Sequence, residues 1–255
     1  LSGITRLPEA LRLASNLQIA QANSHDWAIT SRGFNGLPSS GGILANKLLV
    51  MIDGRSIYNP LFGGVYWDAQ NAMLSDIDRI EVVSGPGVTL WGANAVNGVI
   101  NVVTKSARET QGLQLTGATG SFLQDFVGTR YGFKINQKLF CRVYGQHFDQ
   151  GSTTLENGKD AKDNWNMTQG GFRMDYYSKA NTMTLQGDFY NGTENIDSLV
   201  RHTVIDGQNV LARFTHVFSE ASNLRVQAYY DRTWRTTPNS GGLFTFYELN
   251  TYDLD

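Results

Sequence analysis

The sequence predicts an α+β domain over residues 1–105, followed over residues 106–255 by part of an antiparallel, up-and-down transmembrane β-barrel of about eight strands. Three observations predict it. Residues 76–105, DIDRIEVVSGPGVTLWGANAVNGVINVVTK, join a strand, a Gly-Pro-Gly turn, a compact Gly/Ala/Asn segment and a β-branched strand. From Gly112 onward apolar and polar residues alternate in segments of about a dozen, where soluble strands usually stop near five or six. The joins between those segments alternate between tight turns and long polar stretches, so the short turns fall on one side, as an outer-membrane barrel requires.

The first domain opens with a short helix over residues 7–13 (LPEALRL). Pro8 suits its first turn, Glu9 suits the N-terminal dipole, and Leu7, Leu11 and Ala14 share a face. Residues 27–31, 48–53, 77–83 and 99–104 read as four strands of one mixed sheet, while 34–42 (FNGLPSSGG) and 58–64 (YNPLFGG) are loops rich in turn formers. Ile80 and Val82 share one face of their strand, with Arg79 and Glu81 on the other.

In the second domain strands are expected at 112–120, 125–136, 138–149, 164–177, 181–192, 207–219, 222–234 and 244–255. The joins at 136–138, 178–181 and 219–222 are tight, and those at 150–163, 193–206 and 235–243 are long; only 121–124 is short on the long-loop side. Leu224, Val226, Ala228 and Tyr230 alternate with Arg225, Gln227, Tyr229 and Asp231. Met183, Leu185, Gly187 and Phe189 alternate likewise with Thr184, Gln186, Asp188 and Tyr190, and Phe172, Met174 and Tyr176 with Gly171, Arg173, Asp175 and Tyr177. Aromatics gather near both strand ends: Phe133, Phe140, Tyr176, Tyr177 and Phe218 by the tight turns, and Phe148, Trp165, Tyr190, Tyr230 and Trp234 by the long loops. Two belts of amphipathic rings fit two membrane–water interfaces.

Composition excludes several classes. A net charge of −2, with 21 Lys and Arg scattered among 23 acidic residues, offers no basic patch for nucleic acid. The single cysteine, Cys141, excludes an internal disulfide framework, and His25, His147, His202 and His216 show no metal-ligand spacing. No apolar run reaches the roughly 18 residues of a membrane helix, which leaves a barrel open. The sequence shows no signal peptide at Leu1, so a leader has been removed or the chain starts inside a longer protein. Gly87–Gly92 has the outer spacing of a phosphate loop, but Ala93-Asn94 replaces the Lys-Ser/Thr that would meet phosphate. Asp76, Asp78 and Glu81 lack the central Gly and terminal Glu of a calcium loop. No catalytic set, metal site or cofactor site emerges, so no enzyme is expected.

Several motifs occur in a fixed order: Ile29-Thr-Ser-Arg-Gly-Phe34, Met51-Ile-Asp-Gly-Arg55, Ile77-Asp-Arg-Ile-Glu-Val-Val-Ser-Gly-Pro86, and Leu90-Trp-Gly-Ala-Asn-Ala-Val-Asn-Gly-Val-Ile-Asn-Val-Val-Thr-Lys105. Together they resemble the plug domain of TonB-dependent outer-membrane receptors. The family pattern often has Arg before the Gly-Pro turn; this sequence has Ser84, so a plug–barrel lock is not expected at that position. The resemblance implies plug-motif and plug–barrel contact roles for Arg32, Arg79, Glu81, Gly85, Pro86, Gly92 and Gly98. It further implies a receptor that binds a scarce solute, a ferric siderophore or alternatively cobalamin or another large ligand, and imports it with energy relayed by TonB. TonB would bind an N-terminal segment absent from this sequence, and most of a barrel of about 22 strands would follow Asp255. The barrel would sit in outer-membrane lipid. Ligand contacts are expected from apical plug loops, at Asn35, Ser39 and Ser40 and at Asn59, Phe62, Tyr66 and Trp67, where polar donors and exposed aromatics suit a large, partly apolar ligand. The competing class is a soluble β-rich binding or adhesion module, whose apolar strand faces would pack on each other.

Overall fold

The computed structural model describes residues 3–31, 47–60, 62–85, 87–196, 202–238 and 243–255. The chain divides into two units, Leu1–Thr104 and Lys105–Asp255.

The first unit begins with helix α1 (Leu7–Ala10), extended by a 3-10 turn over Leu11–Leu13. The Glu9 carboxylate accepts the N–H groups of Thr5 and Arg6 at 2.8 and 3.3 Å, satisfying donors that a helix start leaves open. Strands β1 (Leu17–Gln21) and β2 (Trp27–Ser31) form an antiparallel hairpin whose turn is held by Asn23, with Oδ1 accepting from the His25 and Asp26 N–H groups. Strands β3 (Leu48–Ile52), β4 (Arg55–Ser56), β5 (Ile77–Ser84) and β6 (Gly98–Thr104) form a mixed sheet in the order β4-β3-β6-β5, with β3 and β6 parallel. Helix α2 (Val88–Trp91) lies between β5 and β6. Leu7, Leu11, Trp27, Ile29, Leu48, Val50, Ile100 and Val102 form one buried cluster, so helix, hairpin and sheet share a core.

The mixed sheet is as expected, but β2 is not in it. It pairs instead with β1. Leu17 and Ile19 pack on the core, while the intervening Gln18 is exposed and gives the segment a polar look.

The second unit is an eight-stranded antiparallel meander, its strands paired in chain order. The strands are β7 (Gly112–Ala118), β8 (Leu123–Lys134), β9 (Leu139–Gln150), β10 (Trp165–Tyr177), β11 (Asn181–Asn195), β12 (His202–Ser219), β13 (Ser222–Pro238) and β14 (Phe244–Leu254). The tight turns fall where expected: Asn136 Oδ1 accepts the Lys138 and Leu139 N–H groups, and Ser178 N–H donates to the Asn181 carbonyl. Two joins expected to be long are shorter than read, because polar residues continue the ladder. Thr193 pairs with Val204, Glu194 with Thr203 and Asn195 with His202; beyond Trp234, Thr236 pairs with Phe246 and Pro238 with Phe244. The join after β9 remains long, and Asp163 braces it by accepting the N–H and hydroxyl of Thr153 at 2.7 and 2.6 Å.

Cross-strand partners share a face, so register and alternation sort the side chains. One face carries Leu113, Val127, Tyr131, Val143, Phe172, Met183, Leu185, Phe189, Val210 and Val226, all exposed. The other carries Arg142, Gln146, Gln169, Arg173, Asp175, Thr184 and Gln227, all buried. Large apolar side chains open to the surroundings, opposite buried charged ones, invert a soluble sandwich and fit a wall in lipid.

The aromatic belts need correction. Phe133, Tyr176, Phe218, Tyr230 and Trp234 lie on the apolar face, but Phe140, Tyr177, Phe148, Trp165 and Tyr190 lie on the polar one, paired with residues such as Asp175, Thr182, Gln150 and Gln169. Position near a strand end was legible; which face each ring took was set by single-residue parity. Phe148 and Trp165 meet edge to face at 4.7 Å and are buried.

Candidate functional site

The motif residues of the first unit build a rigid frame. Asp53 and Gly54 both have positive φ, 52° and 83°, which a two-residue turn between paired strands requires. The Asp53 carboxylate then reaches β6, accepting the N–H and hydroxyl of Thr104 at 2.8 and 2.7 Å, while the Asp53 N–H donates to Val102. An Ile-Asp-Gly sequence thus ends one strand, turns the chain and ties down the strand that leads out of the unit. Gly98 has its own reason: a Cβ there would stand 2.7 Å from the Val83 carbonyl oxygen. Gly85 and Gly92 take positive φ, 111° and 82°, at the turns flanking α2.

Arg79 and Glu81 pair with each other on the exposed face of β5. Arg79 Nε donates to Glu81 at 2.7 Å and Nη1 to Asp78 at 2.8 Å, while Asn101 Nδ2 donates to Glu81 at 2.8 Å. These bonds raise the Arg79 pKa and hold the Glu81 carboxyl below the usual range, through Arg79 first and Asn101 second. Ser84, where the family pattern often has Arg, accepts a hydrogen bond from Asn16.

Of the residues expected to meet ligand, Asn35, Ser39, Ser40 and the motif residue Arg32 lie outside the described residues, as does Pro86. The other loop lies within the described residues except for Leu61. Asn59 is buried and shapes it: Oδ1 accepts the Phe62 N–H at 3.0 Å, the carbonyl accepts Gly63, and the N–H donates to Gly64. Phe62 and Tyr66 stack at 3.9 Å between centroids and 20° between planes, both half-buried. Trp67 differs from the expectation of an exposed aromatic. It is 5% exposed and belongs to the core with Trp27 and Val50, because the 3-10 turn over Trp67–Ala69 directs it inward. The loop therefore offers a two-ring platform rather than a three-ring one.

The second unit carries a polar ladder that sequence reading did not single out. Tyr144 Oη donates to Asp188 at 2.6 Å, Gln169 Nε2 donates to Tyr144 Oη at 2.9 Å, and Gln146 Nε2 donates to Gln169 at 3.0 Å. Tyr144 and Asp188 sit on either side of Gly171, whose missing Cβ leaves room for their bond to cross β10. A glycine flanked across strands by tyrosine and aspartate would have signalled it, but only once register was known. Among the described residues no group of three or more His, Cys, Asp or Glu side chains is arranged to hold a metal ion.

Residues 2–99 match the TonB-dependent Receptor Plug Domain family. Over 146 residues the chain is 32% identical to a vitamin B12 transporter, BtuB, of Vibrio cholerae, covering 57% of this chain and 22% of that protein. It spans about a fifth of the length of such curated relatives. The solved FrpB iron transporter of Neisseria meningitidis superposes with a TM-score of 0.77 at 13% identity, covering 99% of this chain and 41% of that one. The ferric enterobactin receptor PfeA of Pseudomonas aeruginosa gives 0.71 at 14%, covering 98% and 43%. At such identities these two likenesses are of fold.

Proposed function

We propose that this chain, whose residues 2–99 match the plug domain of TonB-dependent receptors, supplies the plug and the first eight barrel strands of an outer-membrane importer. The observation that carries the reading is the pairing of this plug with a sheet whose exposed face is apolar and whose buried face is polar. In this reading the apolar face meets outer-membrane lipid and the polar face lines the lumen. TonB binds a segment N-terminal to the plug and relays the proton-motive force; no covalent chemistry is done.

The cargo is a scarce, large ligand. A ferric siderophore is the family's commonest cargo, and cobalamin is favoured by the vitamin B12 transporters among the sequence relatives. The stacked Phe62–Tyr66 pair is the proposed plug contact, joined by Asn35, Ser39 and Ser40; Asn59 shapes the loop and Trp67 supports it from the core. Arg32, Arg79, Glu81, Gly85, Pro86, Gly92 and Gly98 keep the plug-motif and plug–barrel contact roles that the resemblance implies, and the positive φ of Gly85 and Gly92 and the close approach at Gly98 support a framing role for those three.

Deleting the gene and testing growth on a single ferric siderophore or on limiting cobalamin decides the cargo. Loss of growth on one source, restored by the intact receptor but not after removal of its TonB-binding segment, is expected. Normal growth on every such source would overturn the assignment. An intact receptor that extracts into aqueous buffer without detergent would favour a soluble module instead.

A further inference from the structure

Residues 105–111, the first of the second unit, form a self-capped turn held against the polar face of β8 to β10. Within the turn, Glu109 accepts the N–H and hydroxyl of Ser106 at 2.9 and 2.7 Å, Thr110 Oγ1 donates to the Ser106 carbonyl, and Gln111 Nε2 donates to the Ala107 carbonyl. Separate contacts fix the turn to three strands, β8, β9 and β10. The Ala107 N–H donates to Asp175 of β10 at 2.7 Å. Asp175 is wholly buried and also accepts Arg173 Nε at 2.8 Å and the Thr184 hydroxyl of β11 at 2.7 Å. Arg142 Nη1 of β9 donates to the Lys105 carbonyl at 2.8 Å. The Arg108 guanidinium lies over the rings of Phe140 and Tyr177, 5.6 and 6.0 Å from their centroids. On β8, the backbone of Thr110 and Gln111 lies directly on Gly132, where any Cβ would overlap the Thr110 carbonyl.

Both Ala107 and Lys105 are gripped by their backbone atoms, so the hold does not depend on flexible side-chain tips of the segment. A buried, charge-assisted acceptor such as Asp175 is costly to leave unpaired, so release of Ala107 is opposed. We infer that residues 105–111 are a fixed anchor: when the plug is remodelled for passage of ligand, opening ends at Thr104 and the chain beyond stays on the wall. This rests on the reading of the first unit as a plug that rearranges.

Native-state hydrogen exchange on the intact receptor in lipid nanodiscs, over a urea series below barrel unfolding, tests it. The amides of 105–111 are expected to exchange with those of β9 and β10, well after β3 to β6. Asp175→Ala should speed exchange across the whole segment at least tenfold while β10 keeps its own protection. Arg142→Met, which leaves the Ala107 acceptor untouched, should shift the same segment. Exchange of Ala107 together with β6 in the unaltered receptor, or no response to either substitution, overturns the anchor while leaving the mobile plug intact. Exchange of both units in a single step would instead remove the mobile-plug reading, and the anchor with it.

Discussion

Asp53 does two jobs with one side chain, and its replacement separates them. Asp53→Ala loses both acceptors for Thr104 and places alanine at a φ of 52°. A cost of about 2–4 kcal/mol to plug stability is expected from the buried acceptors and left-handed backbone together, read by urea unfolding of the intact receptor. Asp53→Asn, which tolerates that backbone, should lose less. Phe62, Tyr66 and Trp67 divide by burial. Tyr66→Ala should weaken ligand binding several-fold in a direct binding assay with an unchanged unfolding midpoint. Trp67→Ala should cost about 3–5 kcal/mol of plug stability through the cavity it leaves. Glu109 sets a pH limit. Ser106 holds its carboxyl below the usual range, through the hydroxyl first and the N–H second. A carboxylate depressed in the folded state stabilises above its unfolded pKa, and that contribution is lost as pH falls through the folded value. Exchange protection over 105–111 should therefore be constant near neutrality and decline only below the ordinary carboxylate range.

At the scale of elements, the exposed face of the meander sets the strongest expectation. Leu185 lies mid-strand on β11, with Phe172 and Phe189 near it on the same face. Leu185→Arg should lower barrel stability by about 2–4 kcal/mol in a folding assay with vesicles, whereas Gln186→Arg on the opposite face should cost far less. The positions of these strands were legible in the sequence because a period of two leaves its mark at every residue, as in 181–192 against the observed Asn181–Asn195. Their far ends were not, since Thr193, Glu194 and Thr236 look like loop residues yet complete a ladder. Of the candidate site, the loop at Asn59–Tyr66 was legible from its turn formers. The burial of Trp67 was not, because it depends on a core assembled from Leu7, Trp27 and Val50. The anchor at Asp175 was equally hidden: its partner Ala107 lies 68 residues away, and no local pattern marks it.

For the whole molecule, the chain presents an open sheet among its described residues, with β7 and β14 each paired on one side. Long strands with free ladders and an apolar face seek further partners. The 255-residue chain expressed alone should form aggregates in water, seen by sedimentation, and should fold only when further strands are supplied with it. Growth of the mixed sheet and of the meander from separate sets of residues also implies that the two units carry separate stabilities, which calorimetry of the intact receptor should resolve as two transitions.

Strands β11, β12 and β13 run for 15, 18 and 17 residues. At about 3.3 Å per residue and a tilt near 40°, such strands rise roughly 38–46 Å, against an apolar belt of about 25 Å. A rampart of roughly 13–21 Å would then stand above the bilayer, stiffened by its own backbone bonds instead of relying on floppy loops. Its backbone amides should then resist hydrogen exchange beyond the apolar belt nearly as well as those within it, which a flexible loop of the same length would not do.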